Sequence, residues 1–188
     1  MSDQSFAAKV ASPETILAFW REAGPDKWFT RDDAFDADIR AKFLSTFEAA
    51  AAGKLAAWEA TAEGALALAI VLDQFPRNMF RGDARAFATD PLARAVTAGA
   101  IIRGFDSQVP DELRSFFYLP FEHSEDLADQ ERAIALNTAA GDTENLKWAE
   151  IHADIIRRFG RFPHRNAALG RATTPEEQAF LDGGGFAG

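Results

Sequence analysis

Ala65-Leu66-Ala67-Leu68-Ala69-Ile70-Val71-Leu72 is an unbroken apolar run, and it leads straight into Asp73-Gln74-Phe75-Pro76-Arg77-Asn78-Met79-Phe80-Arg81-Gly82. A segment with no polar face is buried all round. The run is much shorter than the about 20 residues a bilayer crossing requires. Its alanines, with Thr61 and Glu63 just upstream as an N-terminal turn, favour a helix over a strand. Pro76 has no backbone donor and disfavours helical geometry at Phe75. The spacing therefore predicts a central helix from about Thr61 to Gln74, broken at Pro76. Such a helix delivers Asp73, Gln74, Arg77, Asn78 and Arg81 to one place.

The flanking sequence reads as more helices. Ser12-Pro13-Glu14 is a cap followed by proline at the first helical position, and Gly24-Pro25 stops that helix. Phe35, Ile39, Phe43, Leu44 and Phe47 recur at spacings of three and four, and Gly53 ends their helix. Asp90-Pro91 and Pro110-Asp111-Glu112 begin two more, the latter interrupted at Pro120. Residues 124–159 form a helical hairpin turning at Gly141-Asp142-Thr143, with Ser124-Glu125-Asp126 as its cap. Thr174-Pro175-Glu176-Glu177 starts a last short helix. No segment alternates apolar and polar residues over strand length. The expectation is an all-α single domain over 12–182, with loose tails at 1–11 and 183–188.

Composition narrows the function classes. The 188 residues suit one domain with a sizeable core, and there is no cysteine for a disulfide, a thiolate nucleophile or a zinc-thiolate site. Residues 1–12 lack the apolar core of a secretory signal, so the cytoplasm is the expected location. A net charge of −9 argues against nucleic-acid binding, and no run is long enough for a membrane span. Arg157, Arg158, Arg161, Arg165 and Arg171 nevertheless fall in a stretch holding no Asp or Glu. They either receive an anion or an acidic partner surface, or pair with acids that the fold brings to them.

Phe116-Phe117-Tyr118-Leu119-Pro120-Phe121-Glu122-His123-Ser124-Glu125-Asp126-Leu127 and Arg161-Phe162-Pro163-His164-Arg165-Asn166-Ala167-Ala168-Leu169-Gly170-Arg171 are two further clusters like Asp73–Gly82. Each sets aromatic residues and proline beside charged groups at a helix end. The three, in this order, resemble the motifs of a bacterial family of uncharacterised proteins, domain of unknown function 924, grouped with tetratricopeptide-like helical folds. The resemblance spans Ile16 to about Phe180. It implies an α-α superhelix of antiparallel helices and no particular activity. The ending Asp182-Gly183-Gly184-Gly185-Phe186 departs from the family's more usual Pro-Gly-Ser-containing one.

The clusters admit three functions. In the first, Asp73, Gln74, Arg77, Asn78, Arg81, Tyr118, Arg165 and Asn166 line a groove for a small anionic ligand or a partner segment. In the second, His123 or His164 carries a proton beside a carboxylate such as Glu122, and the arginines hold an anionic substrate. In the third, the motifs only pack corners of a structural or homo-oligomeric protein. His123, His152 and His164 with Glu122 have donor chemistry suited to a metal. None has helical i,i+4 spacing or a metal signature, so no metal and no cofactor is expected.

Overall fold

Side chains start the helices where the sequence offers caps. In a computed structural model, which describes residues 10–186, Ser12 accepts the Thr15 N–H and opens α1 (Pro13–Ala23). The one-turn α2 (Pro25–Trp28) follows, and Asp32 caps α3 (Asp33–Ala51). Thr61 accepts the Gly64 N–H to start α4 (Ala62–Met79), and α5 spans Asp90–Ile102. The short α6 (Asp111–Arg114) and α7 (Leu119–Glu122) lead to α8 (Leu127–Ala140), α9 (Thr143–Phe159) and α10 (Pro175–Asp182). No strand occurs among the described residues, so the protein is all-α. Nor is any described helix long and apolar enough to cross a membrane. Of the expected N-terminal tail, residues 1–9 lie outside the described ones. Ala11 is held, its N–H donating to Thr46 Oγ1 at 2.9 Å.

The central helix differs from expectation in one respect: it does not break at Pro76. α4 continues to Met79, and the Phe80 N–H caps it by donating to the Pro76 carbonyl at 3.0 Å. Pro76 cannot supply the N–H that the Leu72 carbonyl would take one turn earlier. The Thr89 hydroxyl donates to that carbonyl instead, at 2.6 Å. A side chain thus replaces the missing backbone donor. Pro120 likewise lies in the first turn of α7 and begins a helix instead of ending one.

Of the residues of α4, only Glu63 and Arg77 fall outside the buried set. α1, α3 and α5 pack around it, as does the 3₁₀ turn Ala56–Ala60. That turn comes so close that a Cβ on Gly64 would stand 2.1 Å from the Trp58 carbonyl oxygen. Trp20, Phe75 and Phe116 are fully buried in the resulting core, Trp20 within 6.1 Å of all its ring neighbours. α8 and α9 form the expected hairpin, turning at Gly141 with φ +69°, a conformation glycine adopts without steric cost. The hairpin joins the rest chiefly through α7, by way of a small core of Phe121, Ala133 and Ala149. A further core of Ile155, Ile156 and Phe162 lies beyond it. The C-terminal half of α4, the start of α5, the end of α7 and the turn after α9 therefore meet.

Candidate functional site

Asp73 stands at the centre of that meeting, with its side chain only 2% exposed. Gln74 Nε2 donates to its Oδ2 at 2.7 Å, and His123 Nδ1 lies 2.8 and 3.0 Å from its two oxygens. Arg77, one turn along α4, reaches Asp73 Oδ1 at 3.3 Å and donates to the Asp73 carbonyl at 2.7 Å. Burial alone would raise the Asp73 carboxyl. Arg77 and His123, with hydrogen bonds from His123 and Gln74, hold it well below the usual carboxylate range. An ionised Asp73 can only accept, so His123 carries its proton on Nδ1 and leaves Nε2 as an acceptor. Burial, then the Arg77 charge, pushes the His123 imidazole down, with Asp73 opposing them. The ring is held neutral.

Two arginines converge on Asp90 in the first turn of α5. Arg77 takes both carboxylate oxygens, at 2.8 and 3.0 Å. Arg165 comes from the 3₁₀ turn Pro163–Arg165 and stops 3.7 Å short of one of them. Its guanidinium lies between the rings of Phe87 and Phe162, 4.6 and 4.5 Å from their centroids. One hydrogen bond holds it, from Nη1 to the His123 carbonyl at 3.0 Å, and its buried Nε has no partner among the described residues. Burial, then repulsion from Arg77, lowers Arg165 to about 10. Its neighbour His164 is lowered to about 3 by burial and then by Arg165 and the surrounding basic groups.

Alongside this centre, Glu122 is 1% exposed and accepts from Asn137 Nδ2 at 3.0 Å. His152 Nδ1 lies 3.5 Å from the other Glu122 oxygen, outside good hydrogen-bond geometry. His152 and His164 pack on Phe162, each ring 5.6 Å from it, and His123 lies 6.4 Å from His152. Among the described residues no group of three or more acidic and histidine side chains could hold a metal ion.

The residues picked out in the sequence divide among four places. Asp73, Gln74, Arg77, His123 and Arg165 come together, with Glu122 and His164 beside them. Asn78 and Arg81 do not join them. Asn78 lies on the face of α4 turned to α3 and Arg81 just beyond the helix end, and both bind Asp36, Asn78 Nδ2 donating to Oδ1 at 2.7 Å. Helix geometry separates Asn78, since 77 and 78 point to different faces, and Arg81 departs because α4 has ended at Met79. Tyr118 is also elsewhere. Its hydroxyl donates to Asp106 at 2.8 Å, and burial, then Asp106, raises its pKa. It borders a separate cleft of about 220 Å³ with Asp111, Arg114, Ser115, Ala140 and Asp142. Asn166 belongs to a structural knot: its Nδ2 donates to Thr173 and Glu177 at 3.3 and 3.2 Å, and its Oδ1 accepts from Arg171 at 3.0 Å.

The basic stretch is largely neutralised by acids brought in by the fold. Arg157 meets Asp154, Arg158 meets Glu176, Arg161 meets Glu177, and Arg171 meets Glu125. Within that stretch only Arg165 has no carboxylate at hydrogen-bond distance among the described residues. Sequence reasoning missed Asp90, whose position before Pro91 signalled a helix start and nothing more. It also missed Phe186, which packs on His152 and His164 at 4.6 and 5.3 Å where residues 183–188 were expected to be loose.

The fold and this centre define a class: a helical protein in which four chain segments close a buried polar network around an aspartate–histidine pair. The chain belongs to the family of bacterial proteins of unknown function DUF924, whose model matches residues 16–185. It is similar to the solved structure of a protein of unknown function, ATU0120, from Agrobacterium tumefaciens. The two are 52% identical with a TM-score of 0.88, over 91% of this chain and 97% of that one. A search of curated proteins finds no match.

Proposed function

We propose that this protein binds a small anionic ligand at Arg165, between α4, the end of α7 and the turn after α9. The observation that carries this reading is the guanidinium itself. It is 6% exposed and wedged between two phenyl rings, and its nearest carboxylate is already occupied on both oxygens by Arg77. A buried charge left short of counter-charge and one hydrogen bond is costly, and an anion supplies both. The neighbouring His164 is neutral, so its ring can offer the anion one N–H donor.

An anion that binds only the folded state raises the melting temperature by mass action. Inorganic phosphate should therefore stabilise the protein more than chloride at matched ionic strength. Arg165→Gln should abolish that difference, while Arg81→Ala, at the Asp36 contact beyond the end of α4, should keep it. An Arg165→Gln protein that still responds to phosphate like the parent would sink the reading.

Acid–base catalysis by His123 is a second reading, favoured by the Asp73–His123 geometry. A buried carboxylate fixes the Nδ1–H tautomer and frees Nε2 to accept a proton. Nitrogen–proton NMR correlations of the imidazoles should then show His123 as the Nδ1–H tautomer at neutral pH. A Nε2–H tautomer there would remove the base.

A further inference from the structure

Phe186 lies where a ligand ring could lie. Beyond α10 the chain turns back through Gly183, Gly184 and Gly185, with Gly184 at φ +80°. A Cβ on Gly185 would fall 2.5 Å from the Phe180 ring, so the segment runs flat against that ring at this point. The path sets Phe186 edge-on to His152 and His164 and 6.4 Å from Trp148. Phe162 also packs on both imidazoles, its ring 5.6 Å from each, and carries the Arg165 guanidinium on its ring. The slot and the guanidinium thus share one wall.

Phe186 fits this slot in shape and not in chemistry. His164 Nδ1 is buried and has no hydrogen-bond partner among the described residues, and a phenyl ring can offer it none. Such an atom costs folding free energy that a ring bearing an oxygen substituent would recover. The glycines on the approach let the ring leave with little disturbance of α10, whose capping box holds it independently through Thr174 and Glu177.

Building on the anion reading at Arg165, we propose that the Phe186 slot is the second half of the same site. The ligand is then an aromatic anion, its ring between Phe162 and Trp148 and its charge on Arg165, and Phe186 is an internal competitor that it displaces. A competitor seated most of the time lowers apparent affinity by the fraction of time that the slot is open.

The probes are phenyl phosphate and inorganic phosphate, titrated calorimetrically against the full chain and its Phe186→Ala and Arg165→Gln variants. Phe186→Ala should bind phenyl phosphate about tenfold more tightly than the parent, equivalent to ~1.4 kcal/mol of competing contact removed. Its affinity for inorganic phosphate should change less than about twofold, and Arg165→Gln should weaken both probes at least about tenfold. Arg165-dependent phosphate binding with no advantage for the phenyl ester in either protein overturns this inference and leaves the anion reading standing. An advantage that Phe186→Ala leaves unchanged overturns the assignment of the slot. Binding of neither probe to either protein overturns both readings.

Discussion

Arg77 and Arg165 bear the same charge in the same polar centre, yet their environments differ in kind. Arg77 is matched by Asp73 and Asp90, so it adds no uncompensated positive charge to the centre. Breaking a buried pair strands the other partner's charge. Asp90→Asn should therefore cost about 3–5 kcal/mol in denaturant unfolding, and Arg77→Ala a similar amount. A loss below about 1 kcal/mol, the range of an exposed pair, would show that water reaches the pair. His164 gives a second prediction at this scale. Its imidazole is lowered from the ordinary 6.5 to about 3, so below pH 6.5 the unfolded chain takes up a proton that the folded protein refuses. Stability must then fall with falling pH, by up to ~1.4 kcal/mol per pH unit for that residue. Between pH 6.5 and 5, above the range where the carboxylates titrate, His164→Gln should remove about 2 kcal/mol of that fall. An unchanged slope would mean that the ring is solvated. The sequence brought Asp73 and Arg77 to one helix end, as groove-lining residues and not as a pair. It could not reveal Asp90, because a helix-start aspartate looks the same whether or not the fold brings an arginine to it.

At the scale of elements, the central helix shows what local rules miss. Proline inside a helix predicts a break, and the break is avoided because Thr89, seventeen residues away, donates to the stranded Leu72 carbonyl. Thr89→Val should leave that carbonyl buried and unpaired, at a cost of about 1–3 kcal/mol. In a Pro76→Ala background the restored backbone N–H takes over, and the same substitution should cost well under half as much. Equal costs in both backgrounds would show that the hydroxyl does not serve this role. Gly64→Ala provides a converse test. Alanine ordinarily gains about 1 kcal/mol over glycine inside a helix, but here its methyl meets the Trp58 carbonyl, so chemical denaturation should show a net loss. The near-copies Phe75-Pro76-Arg77-Asn78 and Phe162-Pro163-His164-Arg165-Asn166 take different shapes for a related reason. The first sits inside α4, whereas Gly160 has already ended α9 before the second, which forms a 3₁₀ turn. The words are alike, and the helix around them decides their form.

At the scale of the molecule, stability should not be uniform. α4 is enclosed on all sides by α1, α3 and α5, while α8 and α9 pack chiefly on each other and on α7. Native-state hydrogen exchange should therefore find α4 amides opening only with global unfolding, and α8–α9 amides opening at lower free energy. Equal protection in both would mean that the hairpin and the main core unfold as one unit. Leu68→Asp or Ile70→Asp should prevent folding, since each places an unpaired charge where exposure is 3% or less. A soluble variant with near-parental thermal stability would contradict that. The helical class was legible because no stretch alternates over strand length, and the 127–159 hairpin because Gly141-Asp142-Thr143 has turn chemistry. The convergence of three distant segments on Asp73 was legible only as a likeness among motifs. Their distances depend on how helices pack, which no local spacing encodes.

The single carboxylate shared by two arginines also has a genetic consequence. A strain carrying Asp90→Asn keeps both cations and loses the charge that served them. Arg77 still has Asp73 at 3.3 Å, whereas Arg165 has no other carboxylate within 4 Å among the described residues. Second-site suppressors should therefore appear at position 165, as neutral replacements for the arginine, before they appear at 77. Across descendants of a common ancestor, residues 90 and 165 would be exchanged together, one charge rarely lost without the other.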